Sequence, residues 1–253
     1  MQNFFAKNGP IISAYFLIAI GFWIIFLIII PQLYMLDLSF RPNLPPLLRG
    51  GEEDVYTLTH YKHFLFGSET SKDAYNFVDL NVFFKTLATA VVITVLSLCF
   101  CYPIAFYIAK VAEHKTARLL IVSLIVPFWI NELLRAFALR ILFAGEGVIN
   151  NALINAGLMD NAINFIGQDV ALFTGLTYAY LLLMMFPLYN ALESLDTNQL
   201  EAAKDLGSST LRTHWRVVIP HAKAGIASGS TMVFMLTAGA LATPVVLSSP
   251  NTF

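Results

Sequence analysis

Glu201-Ala202-Ala203-Lys204-Asp205-Leu206-Gly207, continued to Val217-Val218-Ile219-Pro220, is the stretch on which the reading of this chain turns. It has the pattern of a short polar helix, a glycine stop and a second short element, set between apolar runs long enough to cross a membrane. Asp196 can cap the first helix, with Gln199 three residues on in an approximate capping box. Gly207 suits the left-handed position just past a helix end. Ser208 or Ser209 can open the next helix, and Pro220 is expected to stop the element and turn the chain back to the membrane. Ala202 and Ala203 offer a small, smooth face that can enter a groove, with Glu201, Lys204 and Asp205 as charged edges. A helix lying on lipid carries bulky apolar residues on one face and many cations on the other. This one has neither, so a protein partner is expected to dock on it.

Apolar residues make up 57% of the chain and charged residues 12%. Mean hydropathy is +0.69. Soluble domains carry about 25% charged residues, so this composition points to a polytopic, all-α membrane protein, read as one membrane domain over residues 1–253. The net charge of −1 gives no electrostatic case for nucleic acid. Cys99 and Cys101 stand two apart in an apolar run, on different helical faces. They form neither a redox pair nor a zinc knuckle and are read as packing residues. The first apolar run is too long for the core of a cleavable signal.

A spanning helix needs about 20 mostly apolar residues. Five such runs are expected, near 11–30, 82–108, 119–143, 170–189 and 222–243, with Pro31 ending the first and Pro103 kinking the second. Lys and Arg in the short loops set orientation. Lys7, the loop with Lys110, Lys115 and Arg118, and the segment with Lys204, Arg212, Arg216 and Lys223 are basic, whereas 144–169 has neither residue. The expected topology has a cytoplasmic N-terminus, an external loop at 37–81 and a cytoplasmic loop at 196–220. Within the external loop, residues 58–66 could form a short helix.

The spacing Glu-Ala-Ala, three residues, Gly, nine residues, aliphatic, one residue, aliphatic, Pro is met here by Glu201-Ala202-Ala203, Gly207, Val217, Ile219 and Pro220. It resembles the signature loop of permease subunits of binding-protein-dependent ABC importers. The likeness is greater to the B-type permease of the spermidine/putrescine branch. It rests on Ile125-Val126-Pro127-Phe128-Trp129-Ile130-Asn131, Leu134-Arg135, Gly147-Val148-Ile149-Asn150, Leu192 to Asp196 and Ser249-Pro250-Asn251-Thr252. The resemblance implies the type I importer permease fold, usually with six spans, in a bacterial inner membrane. It also implies an ATPase pair in the cytoplasm, a second permease and an extracytoplasmic binding protein. Glu201, Ala202, Ala203, Asp205, Gly207 and Pro220 would then form the coupling helix and its exit, seated in a cleft of the ATPase. Permeases for ferric iron or sulfate share the loop but less of the third-run pattern.

The third run holds Asn131, Glu132, Arg135 and Arg140. A charge at bilayer depth costs about 2.5–3.5 kcal/mol on insertion scales, so these groups must face a cavity, a partner helix or each other. Glu132 and Arg135 are spaced to pair on one helical face. Alternatively Glu132, with Trp129, Phe128, Asn131 and Tyr180, contributes to a path for a cation, because carboxylates and aromatic faces suit ammonium groups. Tyr178 is a weaker candidate, and Arg135 and Arg140 oppose a polycation unless neutralised. Gly225 and Gly229, four apart, suit close helix packing, either to a partner permease or within the chain.

Catalytic chemistry is not expected. There is no GxxxxGK[ST] loop, so ATP and its Mg would sit on the partner ATPase. His60 and His63 lack further ligands, and His114, His214 and His221 are scattered, so no metal site is expected. An ion-driven secondary transporter would instead show internal inverted repeats and several membrane carboxylates. No repeat is found, and Glu132 is the only acid well inside a run.

Overall fold

The computed structural model describes residues 9–45, 51, 54–67 and 75–248, and all regular structure among them is helical. The elements in order are α1 (Pro10–Ile24), a π turn (Ile25–Ile29), α2 (Ile30–Ser39), α3 (Thr59–Phe66), α4 (Phe77–Phe106) and a π turn (Tyr107–Val111). Then come α5 (His114–Ile125), a 3-10 turn (Val126–Trp129), α6 (Glu132–Leu142), α7 (Val148–Asn155), α8 (Val170–Glu193) and α9 (Thr197–Asp205). The last are α10 (Thr210–Thr213), a π turn (His214–Val218), α11 (Ile219–Ala238) and α12 (Ala242–Leu247). Two compact units divide at Asn81 and Val82. The resemblance at Ser249 to Thr252 lies outside the described residues.

In the first unit, α1 and α2 form one apolar rod, with Ala14–Ser39 long enough to span. Pro31 does not end it, contrary to expectation. The π turn stands directly before the proline, which occupies the first turn of α2. There its missing N–H and fixed φ are tolerated. Apolar side chains face outward all round this rod, as on a helix solvated by lipid rather than water. The chain beyond α2 is tied back by Arg41. Its Nε donates to Asp37 at 2.8 Å and its Nη1 to Asp54 at 2.8 Å, while Tyr56 donates to Asp37 at 2.7 Å. Hydrogen bonding to Asp37 and then Tyr56 holds the Arg41 guanidinium above its ordinary pKa. A ring nitrogen of His60 bonds the Arg41 carbonyl at 2.8 Å, so α3, close to the expected 58–66, starts from a fixed point.

In the second unit α8 is the central element. Leu172, Leu176, Met184, Leu188 and Leu192 are fully enclosed. α11 packs along it through Gly225 and Gly229. A methyl group at Gly225 would meet the Pro187 carbonyl oxygen at 2.5 Å and the Ala191 Cβ at 2.6 Å. One at Gly229 would meet the Met184 sulfur at 2.9 Å. The small-residue spacing therefore serves packing within the chain.

Two expectations are corrected here. Residues 119–143 are not one helix: α5 with its 3-10 turn and α6 meet at 95°. Pro127 lies in the 3-10 turn, Ile130 is extended, and Asn131 starts a new helix by accepting from the Leu133 N–H at 2.9 Å. The last run also differs, since α11 stops at Ala238 and a separate α12 follows. By length and apolarity three helices among the described residues can cross a membrane, and a fourth if the bent pair counts as one. α11 is long enough at 20 residues but less apolar. Its glycines, serines and threonines are what close helix–helix contact requires, at the cost of lipophilicity.

Gly225→Val should destabilise the folded subunit by roughly 1–3 kcal/mol through overpacking, read as a lowered thermal midpoint in detergent. Gly21→Ala, with no atom within 4 Å of the added methyl, should not lower that midpoint. Arg41→Ala should speed limited proteolysis within residues 54–67, and unaltered cleavage would show that the Arg41 cluster does not restrain this segment.

Candidate functional site

The polar segment after α8 is built as a braced projection. Asp196 caps α9, accepting from the Asn198 N–H at 2.9 Å rather than from Gln199. At the other end Gly207 takes φ +74°. Its N–H reaches the Lys204 carbonyl at 2.8 Å, and the Ser208 N–H reaches the Ala203 carbonyl at 3.0 Å. That pair of bonds is the Schellman closure. Ser209 caps α10, accepting from the Arg212 N–H at 3.4 Å. Pro220 does not stop the element, contrary to expectation. It sits in the first turn of α11 after a π turn, so helical backbone continues from Thr210 to Ala238.

Bonds from distant helices hold this segment. Lys110, in the π turn that follows α4, donates to the Glu193 carbonyl at 3.1 Å and also to that of Leu195. The Tyr102 hydroxyl meets His214 Nδ1 at 2.7 Å, and the Phe106 ring lies 4.5 Å from the same imidazole. Leu195 and Val218 are enclosed. The outward residues, by contrast, are bare. Glu201, Ala202, Asp205 and Gly207 are exposed, and Ala203 is half-buried. Leu206, Leu211 and Trp215 are 88%, 71% and 65% exposed, an apolar fringe that sequence reasoning missed because Leu206 closes one helix while Leu211 and Trp215 share a face of the next.

The residues expected along a cation path are only partly brought together. Glu132 opens α6, and its carboxylate accepts from the Thr243 hydroxyl of α12 at 3.0 Å. Tyr180, on α8, lies beside the same carboxylate. The expected Glu132–Arg135 pair does not form; Arg135 instead lies over the Tyr178 ring at 5.6 Å. Glu132 thus has no ion-pair partner among the described residues. Asn131 is used as the α6 cap, Trp129 is 85% exposed, and Phe128 lines a separate small pocket with Arg135 and Tyr178. A cleft of about 560 Å³ lies between α4, α6, α11 and α12, with Thr86, Thr89, Arg140 and Thr237 among its walls. Nothing in the sequence pattern marks Thr86 and Thr89 as its lining, since the cleft is made by tertiary packing. Among the described residues, no three potential metal ligands converge.

Residues 102–251 match the family model described as binding-protein-dependent transport system inner membrane component. The chain is 34% identical to the spermidine/putrescine transport system permease protein PotB of Escherichia coli, over 86% of its own length and 74% of that protein's. It is 32% identical to the PotB permease of Haemophilus influenzae, covering 86% and 71%. It is 30% identical to the inner membrane ABC transporter permease protein YdcU of Escherichia coli, covering 71% and 61%. Among solved structures, a bacterial ABC transporter involved in the import of the acidic polysaccharide alginate superposes with a TM-score of 0.64 at 17% identity. That match covers 99% of this chain and 81% of the other, and speaks to the fold. With its helical membrane architecture and its match across residues 102–251, the chain belongs to the binding-protein-dependent transport system inner membrane components, as a multi-pass permease subunit of an ABC importer.

Proposed function

We propose that this permease imports spermidine and putrescine, moved by a separate ATPase pair that engages residues 196–220. The single observation that carries the transport reading is the likeness, over most of the chain, to permeases named for spermidine and putrescine. A second permease and a binding protein complete the complex in this reading, and the N-terminus is cytoplasmic. ATP and Mg are held by the ATPase.

The docking reading is supported by the contrast between the two sides of α9. Its base is fastened to α4 and α8, while its tip presents Glu201, Ala202 and Leu206 without cover. A partner groove closing on α9 would pull on α10. Because α10, the π turn and α11 are one helical run, the pull would pass directly into a helix packed against α8. The ATPase thereby acts on the membrane helices through stiff backbone rather than through a loop.

Glu132 is the group proposed to meet an ammonium of the substrate. Its carboxylate has no ion-pair partner among the described residues, with the Thr243 hydroxyl and the Tyr180 side chain beside it. An ammonium could replace the Thr243 hydroxyl as donor, turning a hydrogen bond with one charged partner into one with two.

In the transporter reconstituted with its partners, Leu206→Ala should weaken ATPase association by about thirtyfold, the effect of losing roughly 2 kcal/mol at an interface anchor. Glu201→Lys and Gly207→Val should depress both uptake and stimulated ATP hydrolysis; normal values in both would end the docking assignment. Glu132→Gln should raise the KM for spermidine by roughly tenfold with ATPase assembly intact. Labelled spermidine uptake should be competed by putrescine and not by ferric iron or sulfate. Competition by either of those alone would reassign the solute and leave the importer in place.

A further inference from the structure

The cleft between α4, α6, α11 and α12 has a chemistry opposite to that of a polycation site. Among the described residues Arg140 is its one charged wall residue, and no described carboxylate lines it. One guanidinium N–H donates to the Val246 carbonyl. Among the described residues the remaining N–H groups meet no acceptor. Thr237 also lines the cleft; it is 5% exposed, and its hydroxyl has no hydrogen-bond partner. Thr89 adds a further hydroxyl, and Leu241 and Val245 add an apolar, strongly exposed rim.

An arginine in a membrane-crossing helix pair is costly unless its donors are answered. A guanidinium fork and hydroxyl donors match the paired oxygens of a phosphate better than any single carbonyl does. The apolar rim suits carbon chains attached to that phosphate. We propose that this cleft binds a phosphate group, held by Arg140 with Thr237 and Thr89, and that an anionic phospholipid is the form that also uses the rim. The site lies two turns along α6 from Glu132, about 12 Å by helix rise, so it can be occupied while solute engages that carboxylate. It does not depend on which solute is carried.

The test uses the assembled transporter in nanodiscs of phosphatidylcholine, with or without phosphatidylglycerol, and with or without added inorganic phosphate. Native mass spectrometry reads retained lipid, and ATP hydrolysis reads the response. The wild type should retain phosphatidylglycerol in preference to phosphatidylcholine. Arg140→Gln should lower that retention by roughly tenfold. Should Arg140→Gln not assemble, Arg140→Lys, which keeps the charge but loses the fork, and Thr237→Val should each weaken retention. If inorganic phosphate alone reproduces the lipid's effect on hydrolysis and Arg140→Lys blunts it, the bound species is the free anion. Retention and response equal to wild type in Arg140→Lys and Thr237→Val would overturn the site.

Discussion

Gly225 rests against the backbone of Pro187, so close that no side chain can stand between α11 and α8. Lipid offers little hydrophobic drive to bring apolar helices together, so association depends on dispersion contact at short range and on polar bonds between helices. Removing the Cβ is the simplest way to gain that contact. The placing of the polar segment at 196–220 follows from it. α11 is the membrane end of the helical run that begins at Thr210, and its seat against α8 determines where α9 projects. Lys110 and Tyr102 then fasten the base of the projection to α4. The exposed tip can therefore bear load without being embedded itself.

The ionisable groups of α6 show the same economy in another form. Each meets a different partner on another helix. Glu132 takes the Thr243 hydroxyl, Arg135 lies over the Tyr178 ring, and Arg140 holds the Val246 carbonyl. Two of those partners belong to α12, so both ends of α6 are clamped to that short helix. The break before α6 is thus compensated by tertiary bonds, as backbone that leaves helical geometry at membrane depth requires.

What could be read from the sequence was local. The Asp196 cap, the Gly207 stop and the Ser209 cap each depend on residues within four positions, and each is found. The long apolar runs identified the fold class because composition alone reports burial in lipid. What could not be read depends on distance along the chain. Glu132 and Thr243 stand 111 positions apart, and nothing near Glu132 indicates that it prefers a hydroxyl to Arg135. Prolines misled in both directions. Pro31 and Pro220 were expected to end helices and instead sit just inside them. Pro127, inside a run expected to be unbroken, marks a true bend because Asn131 is there to begin a fresh helix.

The π turn at His214–Val218 carries one consequence beyond letting Pro220 sit inside a helix. An extra residue in a turn shifts the angular phase of all that follows by about 100°, the step per residue of an α-helix. The glycine face of α11 looks at α8 with that offset in place, while α10 keeps the phase of the turn before it. The bulge is therefore a rotational adapter. It lets one continuous shaft present one compass bearing at Thr210–Thr213 and another to the membrane bundle, and gain or loss of a residue there would turn the two faces against each other.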